Sequence, residues 1–223
     1  YIADFWQDFE NALYAKDGYN DKGKYYTDYI DLESFADQWL FYELNEENSV
    51  NSSVYYYKDS DICGDGKLHA SWPWDMEHSL AREGGAASSW FAAASDLKPE
   101  SYWMQFYHHR DFAEAVYKEW MTKFVPALEK ALNPVTGYDP DGISSLDWYL
   151  GYYGTDAQIN ESRWNESGFA EKLEKIRRIY TVRLDFLTEA LGLYDTDYIY
   201  FYKENGILYG VNAQEESIPV ENP

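Results

Sequence analysis

The segment Tyr29–Glu77 decides the fold of this chain, because its hydrophobic pattern changes from a helical period to a strand period within one short stretch. It reads YIDLESFADQWLFYELNEENSVNSSVYYYKDSDICGDGKLHASWPWDME. Apolar residues first recur at spacings of three and four, and after Asn48 the side chains alternate with a period of two. The segment therefore predicts a helix followed by a β-hairpin.

The predicted helix begins at Asp31, a residue type that caps helices by accepting a hydrogen bond from a backbone N–H group of the first turn. Its apolar stripe comprises Leu32, Phe35, Ala36, Trp39 and Leu40. Continuing that stripe reaches Glu43, and a carboxylate on a buried face needs a hydrogen-bonding or charged partner because its desolvation is costly. We therefore expect Glu43 to be a structural residue tied to backbone or an arginine, or a residue that supports a site.

The predicted hairpin spans Ser53–Trp72, with a glycine-rich loop between its strands. It ends in Trp74-Asp75-Met76-Glu77, and on an extended segment Asp75 and Glu77 would face the same way. Carboxylate oxygens are the ligands that magnesium prefers in proteins. The sequence thus predicts either a metal site formed by Asp75 and Glu77 near Glu43, or solvated acids at the end of a hairpin.

The order of these motifs resembles the CotH family of spore-coat proteins, which are atypical, secreted-type protein kinases. The resemblance rests on Y-I-D before the helix, E-L at Glu43, S-S-x-Y-x-Y-K-D, G-K-L and W-D-x-acid. It continues downstream at Trp103, Phe112, Trp120, Asn160, Arg163, Trp164 and Leu173–Arg183. It implies that residues 1–194 are the C-terminal portion of a CotH-like kinase domain and that residues 195–223 form a tail.

The resemblance also implies roles for individual residues. A protein kinase neutralises a nucleotide phosphate with metal ions and orients a hydroxyl whose proton a carboxylate accepts. Asp75 matches the metal-binding acid of the family, and Asn48 stands at the position of the proton acceptor. Asparagine has no ionisable carboxylate and cannot act as a general base, which implies impaired or absent activity. Shifting the loop by one residue would instead place Glu47 there.

Further cofactor contacts follow from the same resemblance, which implies Mg²⁺ or Mn²⁺ with ATP. Glu77 stands where the family often has a second aspartate. We expect Lys58 and Arg82 to be the cations nearest to the acidic cluster and to contact nucleotide phosphates; the alternative for Lys58 is a charge at a strand edge. The β-rich half that grips the nucleotide in longer family members has no counterpart after Tyr1, so we expect this chain alone to be inactive.

The composition bounds the possible partners and location. The 223 residues carry a net charge of −22 spread along the chain, which disfavours binding to nucleic acid phosphates. No run of about 18 apolar residues occurs, so no membrane span is expected. The resemblance implies an extracellular or cell-surface location and a protein substrate with Ser or Thr hydroxyls, whose identity the sequence does not give.

We predict an α+β fold that is mainly helical, with a β-hairpin between the second and third helices and a C-terminal β-hairpin. Phe112–Leu132 has the pattern of a long helix bent at Pro126, and Ser144 with Asp147 resembles a capping box for a helix through Tyr153. Another long helix is expected over Phe169–Leu191. In the tail, strands flank Asn205-Gly206, and this hairpin could begin another β-domain or return to cover the helices.

The alternative function is a non-catalytic module that binds protein or carbohydrate at a cell surface or in a secreted complex. The chain contains 23 tyrosine and 9 tryptophan residues, which offer many flat faces for stacking against sugars. Most of them recur at core spacing, however, so packing is the expected role of Trp6, Trp39 and Trp120.

Overall fold

The computed structural model describes residues 1–47, 54–80, 83–90, 102–165 and 167–220, with only the backbone given at Glu77, Gly85, Tyr102 and Met104. It confirms the predicted α+β fold. The helices are α1 (Ile2–Leu13), α2 (Leu32–Asn45), α3 (Tyr102–Phe106), α4 (Arg110–Glu119), α5 (Val125–Leu132), α6 (Leu146–Trp164) and α7 (Phe169–Leu191). The strands are β1 (Tyr56–Lys58), β2 (Leu68–Ala70), β3 (Tyr198–Glu204), β4 (Ile207–Asn212) and β5 (Ser217–Pro219).

Helix α2 is the central element of the fold. Asp31 caps it as predicted, because its Oδ1 accepts a hydrogen bond of 2.9 Å from the backbone N–H of Ser34. The helix packs against α4 and β2, and its predicted stripe is buried from Phe35 to Leu40. Further buried side chains are Gln38, Tyr42, Glu43, Leu44 and Asn45. Burial on more than one face explains why polar residues of α2 require internal partners.

The predicted hairpin is present as the antiparallel pair β1–β2, in which Tyr57 lies opposite His69. A parallel bridge between Ile30 and Leu68 ties β2 to the segment before α2. Two backbone hydrogen bonds of 2.8 Å, from Asp31 N to Leu68 O and from Leu68 N to Tyr29 O, make this connection. The start of α2 and the hairpin are therefore positioned as one unit.

The long helix predicted over Phe112–Leu132 is divided rather than simply bent at Pro126. A π-helical turn at Trp120–Phe124 separates α4 from α5, and Pro126 occupies the first turn of α5. Proline lacks an N–H group and its ring clashes with the preceding turn, so a change of hydrogen-bond pattern just before it relieves both effects. The indole of Trp120 is buried and donates a hydrogen bond of 3.0 Å to Thr188 Oγ1 on α7.

Helix α6 begins at a different cap from the predicted one and extends further. Ser145, not Ser144, is the N-cap, and its Oγ accepts from Trp148 N at 3.1 Å. Ser144 Oγ instead accepts from Asp139 N. The helix passes the predicted end at Tyr153 and reaches Trp164. None of its described side chains is fully buried, so its hydrophobic pattern carries no clear signal of its length.

The C-terminal hairpin is confirmed and gains a third strand, giving the antiparallel order β3-β4-β5. Asn205 and Gly206 both have positive φ, 51° and 81°, as a tight primed turn requires. The sheet returns to the helices: Phe201 is fully buried, and its carbonyl accepts from Trp90 N at 3.0 Å. Lys203 N also donates to Ser88 O at 2.7 Å. The tail thereby covers part of the main core.

Aromatic side chains fill that core. Trp39, Trp90, Trp103 and Trp120 are all buried, which confirms the packing role predicted for Trp39 and Trp120. Trp6 is partly buried and lies edge-on to Phe9, so it also packs as predicted. Over the part of the chain that the structure describes, none of the helices is both long and apolar enough to span a bilayer.

Candidate functional site

The C-terminal end of α2 meets the segment that follows the hairpin. The backbone N–H of Leu80 donates to Asn45 O at 2.7 Å, and Ser79 Oγ donates to Glu47 Oε2 at 2.7 Å. We call this region, formed by residues 42–47 and 74–80, the α2 junction. Its two segments are far apart in sequence, and the hairpin brings them together because its open end faces the end of α2.

Three residues of the α2 junction, Glu46, Asp75 and Leu80, are left-handed. Glu46 ends α2 with φ of 52°, and Asp75 has φ of 62° before a 3₁₀ turn at Met76–His78. The expectation that Asp75 and Glu77 share one face of an extended segment is therefore wrong. Aspartate tolerates the left-handed region better than most residues because its short polar side chain bonds locally. The backbone turns sharply at Asp75 and sets its carboxylate at the surface.

Tyr42 lies near two of the acidic residues of the α2 junction, Glu47 and Asp75. Burial raises the pKa of Tyr42, and the negative charges of Glu47 and Asp75 add to that rise, against a hydrogen bond with the Trp74 backbone. Both carboxylates thus act on the same phenol. They differ in exposure, since Asp75 is exposed whereas Glu47 is fully buried. Asp75 is the carboxylate that can meet a solvent-borne metal ion.

Glu43 has a structural role. Its Oε1 accepts a hydrogen bond of 2.7 Å from Arg183 Nη2, and its backbone carbonyl accepts from the same nitrogen. Both side chains are buried completely. Glu46 Oε1 lies 3.9 Å from Arg183 Nη1 and is equally buried. Of the two roles that the sequence left open for Glu43, the structure favours a carboxylate tied to an arginine.

Arg183 also fixes the segment that precedes α3. Its Nη1 donates to Ala87 O at 3.0 Å and to Ser89 O at 2.7 Å. One guanidinium therefore connects α7, the end of α2 and residues 87–89. Asn45 adds a second link to α7, because its Oδ1 accepts a hydrogen bond of 2.7 Å from the Tyr180 hydroxyl. Burial raises the pKa of Tyr180 to about 12, so this phenol stays a donor at neutral pH.

The remaining predicted residues lie outside this description or outside the α2 junction. Asn48 and Arg82 fall outside the described residues, as does the side chain of Glu77. Lys58 is at the loop end of the hairpin, with its side chain only 7% exposed and its Nζ 2.6 Å from Asp61 Oδ1. It also lies 4.6 Å from the centre of the Phe5 ring. None of these described contacts joins Lys58 to Asp75, and its role at a nucleotide stays a prediction.

Sequence reasoning missed a group of possible metal ligands at the loop end of the hairpin. Oxygen or nitrogen atoms of Asp31, Asp65 and His69 lie within 4.8 Å of one another. His69 Nε2 is 3.0 Å from Asp65 Oδ2, and Asp31 is already engaged as the cap of α2. The pairing of Ile30 with Leu68 brings these residues together, and no local pattern announces that pairing.

A second acidic group surrounds Lys123. Its Nζ lies 2.7 Å from Glu33 Oε1, 2.8 Å from Asp37 Oδ2 and 2.7 Å from Glu119 Oε2. Burial opposes the charge of Lys123, yet hydrogen bonds with these three carboxylates raise its pKa overall. The lysine ammonium already supplies the positive charge that this group needs, so a metal ion would have to displace it.

The carboxylate oxygens of the α2 junction suit a hard divalent cation only in part. Asp75 offers an exposed carboxylate, while Glu47 is committed to Ser79 and excluded from solvent. A magnesium ion bound here would therefore keep several waters and take further oxygen ligands from a phosphate.

Comparisons of the chain with models of protein families, with curated proteins and with solved structures found no match.

Proposed function

We propose that this chain is a CotH-like kinase domain portion that binds Mg²⁺ or Mn²⁺ together with ATP at the α2 junction. Asp75 is the principal metal ligand and Glu77 the second. In a complete protein the reaction would be phosphate transfer to Ser or Thr hydroxyls of exported or coat-type proteins. The resemblance that motivates this proposal also favours an extracellular or cell-surface location.

One observation carries the proposal: the end of the E-L helix and the W-D-x-acid segment are in contact. The hydrogen bonds from Leu80 N to Asn45 O and from Ser79 Oγ to Glu47 Oε2, both 2.7 Å, join these two motifs. The family resemblance requires the two motifs to form one site. The exposed carboxylate of Asp75 adds a ligand of the type that phosphate-bound magnesium uses.

The chain's own residues limit the chemistry. A bound metal ion would supply the positive charge that neutralises phosphate oxygens. Glu47, the alternative proton acceptor, is buried and accepts a hydrogen bond from Ser79, so it does not face an incoming hydroxyl. Asn48 can orient a hydroxyl but cannot accept its proton, and lack of a general base costs about 10² to 10⁴ in rate. We therefore propose weak or absent transfer in this form.

Calorimetric titration with Mg²⁺ or Mn²⁺, in the presence and absence of ATP, tests the binding step. We expect heats that require both metal and ATP in the wild type and that disappear in Asp75→Gly. Glycine suits this position because Asp75 already has positive φ. The matched control is Glu215→Gly, which removes another exposed acid at a left-handed position, with φ of 63°, in the turn between β4 and β5. Equal loss in both variants, or none in Asp75→Gly, would overturn the assignment.

Transfer of radiolabelled phosphate to a general protein substrate tests the second step. We expect no transfer above background by the wild-type chain or by Asn48→Asp. If the wild type transfers phosphate and Asp75→Gly does not, the site assignment is correct but the proposal of weak or absent transfer is wrong. Transfer that survives in Asp75→Gly would exclude this site altogether.

A further inference from the structure

Asp31, Asp65 and His69 converge at the loop end of the hairpin, and we call this group the hairpin cluster. One ligand atom from each residue lies within 4.8 Å of the other two. His69 Nε2 is 3.0 Å from Asp65 Oδ2, and its Nδ1 is 3.9 Å from Asp31 Oδ1. A tetrahedral zinc ion with bonds of about 2.0–2.1 Å holds its ligand atoms about 3.4 Å apart. Small rotations of the two carboxylates, which are 37% and 41% exposed, are enough to reach that spacing.

The fold fixes the position of each residue of the hairpin cluster. Tyr57 lies opposite His69 in the hairpin, and its ring stacks on the imidazole with 4.9 Å between the ring centres and 7° between the planes. Asp31 is held at the start of α2, where it caps the helix. The backbone N–H of Lys67 donates to Asp65 Oδ1 at 2.9 Å. Ligands that are already ordered lose little conformational entropy on binding a metal ion.

The carboxylates of the hairpin cluster keep oxygen lone pairs for a metal ion. An ionised carboxylate has two oxygens and about four lone-pair sites, of which the described backbone contacts use one in Asp31 and one in Asp65. The hydrogen bond from the Lys67 backbone lowers the pKa of Asp65, and His69 adds to that effect. Asp65 is therefore negatively charged at neutral pH, as a metal ligand must be.

The hairpin cluster differs in its charge balance from the acidic group around Lys123, where an ammonium supplies the positive charge. Within the described ranges, neither Asp31 nor Asp65 forms an ion pair with a lysine or an arginine. Lys67 is the lysine nearest to Asp65 in sequence, but its Nζ donates to Thr27 O at 2.8 Å. Two carboxylates beside one imidazole thus leave room for the charge of a divalent ion.

The ligand types of the hairpin cluster select zinc over magnesium and manganese. Imidazole nitrogen suits Zn²⁺, whereas Mg²⁺ and Mn²⁺ prefer sites made of oxygen ligands. Affinity also rises from Mn²⁺, the weakest binder of the first-row series, towards Zn²⁺. The 14 residues of α2 span about 21 Å, and Asp31 and the α2 junction lie at opposite ends of this helix. Low concentrations of Mn²⁺ should therefore not compete for the hairpin cluster.

We propose that the hairpin cluster binds one Zn²⁺ ion through Asp31, Asp65 and His69, with a water molecule as the fourth ligand. The ion ties the hairpin loop to the start of α2. It stabilises the folded chain, because these residues come together only in the folded state. This site is separate from the metal and ATP binding proposed at the α2 junction.

Titration of the full chain with Co²⁺, followed by visible absorption and by displacement with Zn²⁺, tests the proposal. We expect one zinc ion per chain, a Kd below about 100 μM and a rise in Tm when zinc is added. His69→Ala and Asp65→Asn should each weaken zinc binding by about tenfold or more. Asp31→Asn should also weaken it while the fold is kept, because asparagine caps helices as well as aspartate does.

Two control variants remove other common zinc ligands. Cys63→Ser removes an exposed thiol from the same loop, and His108→Ala removes an exposed histidine between α3 and α4. Both should bind zinc like the wild type. The proposal is overturned if zinc does not bind with a Kd below about 100 μM, if His69→Ala binds as tightly as the wild type, or if either control loses binding to the same extent. Zinc binding should be unchanged in Asp75→Gly, and its loss there would contradict the separation of the two sites.

Discussion

Two groups of carboxylates lie near the two ends of α2, and each surrounds one cation, but the two cations differ in burial. Near the end of the helix, Glu43 and Glu46 face Arg183, and all three side chains are fully inaccessible to solvent. Near its start, the group formed by Glu33, Asp37 and Glu119 surrounds Lys123, whose side chain is 45% exposed. The helix thus takes part in one internal ion-pair group and in a second one whose lysine is exposed, although Glu119, which α4 contributes, is buried.

The difference in burial separates two roles for acidic residues. Breaking a buried pair leaves a charge without compensation in a medium of low dielectric, whereas a surface pair is screened by water and salt. Glu43 is therefore tied to the stability of the fold. Asp75 belongs to neither group and is exposed, which suits a residue that meets ligands.

The largest effect on stability is expected for Arg183. Replacing it in Arg183→Met leaves the Glu43 carboxylate buried without its partner and also removes the hydrogen bonds to Ala87 O and Ser89 O. We expect the free energy of unfolding to fall by about 3–5 kcal/mol, measured by urea denaturation followed by tryptophan fluorescence. A fall below about 1 kcal/mol would contradict the structural role of this pair.

The double variant Glu43→Leu with Arg183→Met sharpens this prediction. Removing both charges takes away one of the two buried carboxylates that face Arg183 and leaves Glu46, so the double variant should be more stable than Arg183→Met alone. The comparison remains useful if the single variant does not fold. A double variant less stable than either single variant would show that the two side chains act independently.

A smaller effect is expected for Lys123→Met, because Lys123 is 45% exposed and Glu119 alone of its three carboxylate partners is buried. We expect a loss of about 1 kcal/mol near neutral pH. Since the folded pKa of Lys123 is raised above its ordinary value of 10.5, its contribution is present in full below that value. It should disappear as the pH rises through the folded pKa. Urea denaturation of wild type and variant from about pH 7 upward measures this difference, which should shrink in alkali. A difference that grows with pH would contradict the ion-pair account.

The smallest effect on stability is expected for Asp75→Gly. The residue is exposed and left-handed, so glycine introduces no strain at this position. We expect the free energy of unfolding to change by less than about 0.5 kcal/mol, as for Glu215→Gly in parallel denaturation experiments. A loss above about 2 kcal/mol would show that Asp75 is a structural residue like Glu43. It would contradict the distinction drawn between this exposed acid and the buried one.

Local chemistry explains which parts of the fold could be predicted from the sequence. Asp31 and the Asn205-Gly206 turn act through neighbouring backbone groups, so their residue types are enough to predict a helix cap and a tight turn. The stripe of α2 likewise predicted that Glu43 would need a partner. That partner is Arg183, 140 residues away on α7, and no sequence pattern identifies a contact at such a distance.

Tertiary contacts explain what the sequence did not predict. The turn at Asp75 accompanies contacts of Ser79 and Leu80 with the end of α2, which the alternating pattern before it does not encode. The contact between Gln38 and Ser71 was missed for a similar reason, because these residues come together only when the hairpin lies on α2. In α6, the absence of a buried face removes the periodic signal that would have marked its end.

Paramagnetic broadening by Mn²⁺ in the presence of ATP tests the central claim most directly, because it locates the metal on a chain with many acidic residues. The account predicts selective loss of amide signals from residues 42–47 and 74–80 at low metal occupancy, with the turn around Glu215 unaffected. This pattern should vanish in Asp75→Gly. Broadening centred instead on Asp31, Asp65 and His69, or spread evenly over the surface, would contradict the assignment of the α2 junction as the metal and nucleotide site.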